Sequence, residues 1–302
     1  KKENNMVCCP YCGSTYGRKK GIRRDHQRYE CYSCGKYFQK PVEYEENELP
    51  KILLLDIETS LMKVYVWGLY KQRIPHQNII SDWYVLSWSA KWLYDDVVQS
   101  DVVTPEEAVI GDDKRVLNSI WKLLDEADIV IAHNGDRFDL RKLNWRFINK
   151  GIKPPTSSRT IDTLKVTRRE FASPSYKLDF LTHNFKLQTK IKTSFQLWVD
   201  CMAGKKESLD KMVEYNMRDV DALEELYLRV RPYIKNHPNI GVLMDDDICP
   251  TCGSKHLQET NSVYLTSANK FPVYRCEKCE TPYIRGKRNI GDYKTQMRSV
   301  SK

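Results

Sequence analysis

LLLDIETSL, residues 53–61, decides the fold of the central part of this chain. Leu53, Leu54 and Leu55 have the character of a buried strand. That strand runs into two carboxylates, Asp56 and Glu58. Side chains alternate across a strand, so both acids share one face while Ile57 points to the other. Two carboxylates at this spacing can share a divalent cation. Alone, the pair serves equally well as a solvated or capping strand end.

Two further segments offer acids in related settings. In VIAHNGDRFDLRKL, residues 130–143, a strand ends at Ala132 and a polar turn, His133-Asn134-Gly135-Asp136, leads into a helix near Phe138. Asp139 then stands in the first helical turn, where the helix dipole favours a carboxylate. It fits a capping acid as well as a third metal ligand. In MVEYNMRDVDALEEL, residues 212–226, a helical wheel puts Met212, Leu223, Leu226 and Val230 on one apolar stripe with Asp219. A carboxylate facing a core is costly unless paired, so Asp219 calls for a cation. Tyr215 lies one turn before it, close to the same face. Asp221, Glu224 and Glu225 fall off the stripe and are expected at the surface. Four carboxylates converging on one place repel unless cations lie between them, the arrangement used in two-metal phosphoryl transfer.

Asp56-Ile57-Glu58-Thr59, then Asn134-Gly135-x-x-Phe138-Asp139, then Tyr215-x3-Asp219 resemble the three motifs of the DEDD 3′–5′ exonucleases. Tyr215, four residues before Asp219, is similar to the tyrosine branch; the histidine branch would have His where Glu214 stands. That branch includes the proofreading domains of family B DNA polymerases. The closer resemblance is to stand-alone YprB-type ribonuclease-H-like proteins, over about residues 50–235, and it departs from them in a cysteine-bearing extension at each end. It implies an α/β fold, a ribonuclease-H-like mixed sheet flanked by helices. It also implies two Mg²⁺ or Mn²⁺ ions held by Asp56, Glu58, Asp139 and Asp219, with Tyr215 orienting the attacking water. His133 and Phe138 are candidates for contact with the terminal nucleotide, each equally open to a structural role; Asn134 is a further substrate-binding candidate, and Lys177 is within reach of a phosphate, although a solvated lysine is the commoner case. Single-stranded DNA is the favoured substrate. RNA is the alternative, and an adaptor that binds nucleic acid without cutting it is the non-enzymatic rival.

Eight of the ten cysteines form four C-x2-C pairs: Cys9/Cys12 and Cys31/Cys34 near the start, Cys249/Cys252 and Cys276/Cys279 near the end. The spacers within the two sets are 18 and 23 residues. Each set supplies four soft thiolates for one tetrahedral, structural Zn²⁺ and reads as a zinc ribbon. Cys8 is a possible substitute for Cys9, but the pattern C-P-x-C-G favours Cys9. Cys201 reads as a buried small residue. The first module interleaves bases and aromatics (Tyr16, Arg18, Lys19, Lys20, Arg23, Arg24, Arg28, Tyr29, Tyr32, Tyr37, Phe38) in a manner suited to phosphates and bases. Protein docking, or a small core made of the aromatics, is the competing use.

Charge divides along the same lines. Residues 1–40 carry ten Lys/Arg and three acids, giving +7; residues 248–302 carry ten and four, giving +6; the net charge of +9 therefore leaves −4 for 41–247. Basic ends suit a polyanion and an acidic middle suits cations. The expected organisation is an N-terminal ribbon and linker at 1–47, the nuclease-like domain at 48–240, and a C-terminal ribbon with a basic tail at 241–302. PVEYEENELP, residues 41–50, reads as the linker. Strands are predicted at 51–57, near 64–69, at 83–92 and at 128–132. Helices are predicted at 113–126, 138–150, 160–171, 176–186 and 206–231. No apolar run approaches the roughly 20 residues of a membrane span, and KKENNMVCCPYCG does not resemble a signal peptide. The expectation is a soluble protein of the cytoplasm (a host's, if viral), with nucleic acid and replication or repair proteins as partners.

Overall fold

A computed structural model of the chain describes residues 6–9, 11, 14, 17–23, 26–38, 42–44, 50–187, 193–244, 247–266 and 269–287. They fall into two compact units, one of residues 51–228 and one of 1–50 with 229–302. The first unit is a mixed α/β layer structure. Its sheet contains β1 (Ile52–Thr59), β2 (Val85–Trp92), β3 (Gln99–Val102), β4 (Ile129–Ala132) and β5 (Arg159–Asp162). The strand order is β3-β2-β1-β4-β5. β1, β2 and β3 are antiparallel neighbours, whereas β4 and β5 run parallel to β1. The helices are α1 (Pro105–Ile110), α2 (Lys114–Glu126), α3 (Asp139–Asn149), α4 (Thr163–Glu170), α5 (Leu178–Asn184), α6 (Phe195–Met202) and α7 (Lys206–Val230).

The alternation read from LLLDIETSL sorts the two faces. Leu53, Leu55 and Ile57 of β1 join Leu86, Trp88 and Ala90 of β2 in a core with Val116, Leu117 and Ile120 of α2 and Leu143 and Phe147 of α3. Burying each large side chain of this kind contributes about 1.5–3 kcal/mol. The opposite face carries Asp56, Glu58, Ser87, Ser89 and Lys91. Helix α7 is bonded to it: Lys91 Nζ donates to Glu224 at 2.6 Å, and Ser87 Oγ donates to Asn216 at 3.3 Å. Register places Asp56 opposite Ser89 and Glu58 opposite Ser87, then shifts so that Thr59 pairs with Val85. The extra residue on β2 is a bulge at the acidic end of β1, a device that re-aims side chains.

A buried ion pair locks α3 in place. Arg146 donates two 2.7 Å bonds to the Asp113 carboxylate, which also accepts from the main chain of Val85 at 2.9 Å. The same helix begins at Asp139, so its position is fixed from both ends.

Several expectations need correction. The segment near 64–69 forms only the short strand Lys63–Val64, paired with Ile79–Ser81, because the chain leaves the sheet there. The helix predicted from 160 starts at Thr163. The residues before it form β5, and Asp162 caps the helix through bonds from the N–H groups of Leu164 and Lys165. Glu224 is not an ordinary surface acid, since it accepts from Lys91 Nζ and from the main chain of Tyr94. Within the expected linker, Val42–Tyr44 is a strand antiparallel to Met6–Cys8. β3, α1 and α6 were not anticipated. Among the described residues, no helix is long and apolar enough to cross a membrane.

Candidate active site and cysteine clusters

Carboxylate oxygens of Asp56, Glu58 and Asp219 lie within 4.8 Å of one another. β1 supplies the first two from one face, and α7 brings Asp219 over them, 2% exposed. The helical stripe read from the sequence is buried throughout: Met212, Leu223, Leu226 and Val230 as well as Asp219. Asp139 stands outside this cluster but touches the same strand. Its Oδ1 accepts the main-chain N–H of Ile57, the residue between Asp56 and Glu58, at 3.0 Å. Burial pushes the Asp139 carboxyl up to about 7, against the pull of that N–H bond. Three acids at this spacing, one of them deeply buried, suit a hard cation with oxygen ligands.

Tyr215 packs edge-on against Trp198, with ring centroids 6.2 Å apart. Burial pushes its phenol well above the usual range, and the charges of Asp219, Glu58 and Asp56 add to this. It therefore remains a hydroxyl at neutral pH and serves as a hydrogen-bonding group rather than a base.

Two residues at the site escaped the sequence reading. Asn216, wholly buried, donates from Nδ2 to Asp56 Oδ2 at 2.6 Å and accepts from Ser87 at its Oδ1. Its amide thereby fixes the orientation of the first carboxylate. Lys142 donates to Thr59 Oγ1 at 2.8 Å and lies over the rings of Trp83 (4.0 Å) and Phe138 (4.7 Å). Burial lowers its pKa, opposed by Asp82, Asp139 and Glu58.

An open groove of about 1110 Å³ adjoins the acids, and Asp56, Tyr215, His133, Asn134 and Lys177 line it. Arg168, Tyr176 and His183 add basic and aromatic character to its wall. His133 uses both ring nitrogens within the protein, on Thr163 Oγ1 and on the Tyr176 carbonyl, each at 2.9 Å. Asn134 adopts a left-handed conformation (φ 73°), and its N–H donates to Asp162. Gly135 is required by space: a Cβ there would lie 2.4 Å from that of Ala132. Phe138 precedes α3 and packs on the sheet core. Lys177 is exposed at the start of α5.

The second unit carries the two C-x2-C sets. Cys249, Cys252, Cys276 and Cys279 have sulfurs within 4.8 Å of one another, with 3.6 Å between Cys249 and Cys279 and between Cys252 and Cys276. A tetrahedral Zn²⁺ with bonds of about 2.3 Å sets its sulfurs about 3.8 Å apart, so the set fits one ion. Near the start, Cys9, Cys31 and Cys34 cluster likewise, with Cys9 and Cys34 sulfurs 3.7 Å apart. Cys12 and the side chain of Cys8 lie outside the described residues. The turns repeat one design: the N–H groups of Gly35, Gly253 and Glu280 donate to the carbonyls of Cys31, Cys249 and Cys276. All three residues have positive φ, which only the two glycines adopt without strain. Cys201, apart from both sets, is buried and donates to the Ser208 carbonyl.

In the N-terminal module, Tyr29 and Phe38 stack and pack with the cysteines, so they belong to its core. Tyr11, Tyr32 and Tyr37 are exposed, each under a cation: Lys36, Arg18 and Arg28 respectively. Tyr16, Arg24 and the side chains of Lys19 and Arg23 lie outside the described residues.

Residues 96–231 match a family model described as RNase_H superfamily. The chain contains a ribonuclease-H-like domain. The match takes in Asp139, Tyr215 and Asp219 and begins after Asp56 and Glu58. No curated protein gives a match. Among solved structures, the chain is similar to the family B DNA polymerase from the hyperthermophilic archaeon Pyrobaculum calidifontis, with 14% identity and a TM-score of 0.43 over 88% of this chain. It spans only 36% of that polymerase.

Proposed function

We propose that the chain is a metal-dependent 3′–5′ exonuclease that removes nucleotides from single-stranded DNA. The observation that carries this reading is the convergence of Asp56, Glu58 and Asp219 within 4.8 Å, with Asp139 bonded to the strand between the first two. Asp56, Glu58, Asp139 and Asp219 would hold two Mg²⁺ or Mn²⁺ ions. Bound there, such ions supply an activated water at the terminal phosphorus and charge stabilisation for the departing 3′ oxygen. Asn216 keeps Asp56 oriented for this task. Tyr215, held as a neutral hydroxyl, positions the attacking water by hydrogen bonding. The groove beside the acids takes the end of the strand, with Lys177 and Arg168 available to its phosphates. Each cysteine set holds one structural Zn²⁺, and the exposed tyrosine–cation pairs of the N-terminal ribbon engage nucleic acid.

The test is a 5′-labelled 20-mer, as DNA and as RNA of matched sequence, incubated with zinc-loaded protein with and without Mg²⁺. The proposal expects a ladder shortening from the 3′ end, dependent on Mg²⁺ and faster on DNA. Faster shortening of RNA would reassign the substrate. No shortening of either would leave the nucleic-acid-binding adaptor.

A further inference from the structure

Between Thr59 and Val85 the chain leaves the sheet as an arm. Its base is pinned by paired bonds: Ser60 N–H to the Tyr84 carbonyl and Tyr84 N–H to Ser60 Oγ, each 2.9 Å. Above this, Lys63 pairs with Ser81 and Val64 with Ile79, and Tyr65 N–H donates to the Asn78 carbonyl at 2.8 Å. The far part of the arm then exposes its largest apolar side chains. Tyr65 is 70% exposed, Trp67 99%, Leu69 89% and Tyr70 84%. A cluster of bare aromatics on this scale signals a binding surface.

Charge selects the occupant. Residues 59–81 contain Lys63, Lys71 and Arg73, all exposed, and not one Asp or Glu. The surrounding region, 41–247, is net negative at −4. Aromatic faces with interleaved cations and no acids match the bases and phosphates of a single strand. Position agrees with this. The arm starts directly after Glu58, and Lys63 is five residues beyond it, within about 18 Å even for a fully extended chain. We propose that the arm is a strand-holding device, on which Trp67, Tyr65 and Tyr70 stack unpaired bases while Lys71 and Arg73 pair with phosphates. The proposal rests on the nuclease reading only in placing the 3′ end of that strand at the acids.

The experiment uses full-length, zinc-loaded protein in buffer without Mg²⁺ or Mn²⁺, and fluorescence anisotropy of a labelled oligo-dT 20-mer. Trp67→Ala with Tyr70→Ala should weaken binding at least tenfold, since each stacked base contributes about 1–3 kcal/mol. Trp67→Phe, which keeps a ring, should bind within about threefold of the parent. Lys71→Glu with Arg73→Glu should weaken binding and flatten its salt dependence, by roughly 0.7 in log–log slope per lost phosphate contact. All these side chains are exposed, and circular dichroism with zinc content checks that each variant is folded. Unchanged affinity in both double variants overturns the proposal. So does a change in sedimentation of the Trp67/Tyr70 variant without a change in affinity, which would make the arm a self-association surface. A wild type that cuts while affinity is unchanged removes the arm and leaves the nuclease reading. A wild type that never cuts, with affinity lost in the variants, removes the nuclease reading and leaves the arm.

Discussion

The side-chain amide of Asn216 donates to the carboxylate of Asp56 across 2.6 Å, joining the central helix to the strand that starts the fold. The amide oxygen of Asn216 is held in turn by Ser87 on the neighbouring strand. Asn216→Ala should therefore lower the affinity for Mn²⁺ by about 10–100-fold, the usual cost of losing a group that orients a ligand. Folding should lose about 1–3 kcal/mol from the unsatisfied partners. A Mn²⁺ titration monitored by paramagnetic relaxation gives the first number, and urea denaturation gives the second.

Asp139 makes stability depend on pH in a defined direction. Its folded-state value, about 7, lies above the ordinary 3.8, so the folded protein prefers the neutral acid. Its contribution to stability is full below the ordinary value and is lost as pH rises through 7. Cation binding requires the carboxylate and reverses the penalty. The rise in Tm produced by Mg²⁺ should therefore be larger at pH 8 than at pH 6, by about 2–4 °C per kcal/mol gained. An equal rise at both values would remove Asp139 from the ligands.

Arg146→Met should be severely destabilising. Asp113 is fully buried and would lose its bidentate partner, a change that costs about 3–5 kcal/mol. Differential scanning calorimetry should show a fall of roughly 10 °C on the scale of about 2–4 °C per kcal/mol. Loss of under 1 kcal/mol would show that the neighbouring Lys150, 3.9 Å from Asp113, takes over.

Glu280→Gly should stabilise the C-terminal ribbon. Glu280 has φ 62°, the position filled by glycine in the equivalent turns at Gly35 and Gly253. Relief of left-handed strain contributes about 1 kcal/mol. Competition with a chromophoric chelator should show slower or weaker extraction of zinc from the variant.

What was legible in the sequence followed from short-range periodicity. The same-face placement of Asp56 and Glu58 needs only the strand alternation, and the burial of Asp219 needs only the helical stripe of Met212, Leu223 and Leu226. The thiol clusters needed only their spacing. What was not legible depends on partners distant in sequence. Asn216 shares the helical face of Asp219, three residues away, but its role needs Asp56, 160 residues earlier. Glu224 looked solvated because Lys91 comes from another element. β3, Gln99–Val102, is half-buried along its length and too polar to stand out. Asp162 carried a real signal, a capping acid before a helix, and the predicted helix ran through it. The strand predicted near 64–69 shrinks to Lys63–Val64, and the chain instead builds an exposed arm.

The central claim is that Asp56, Glu58, Asp139 and Asp219 form one site for divalent cations. It is tested most directly by counting Mn²⁺ bound to zinc-loaded protein, from the loss of the free-ion electron paramagnetic resonance signal. The wild type should bind two Mn²⁺ per chain and Asp219→Asn at most one, with zinc content unchanged. No saturable Mn²⁺ binding by the wild type, or equal binding by both proteins, would contradict it.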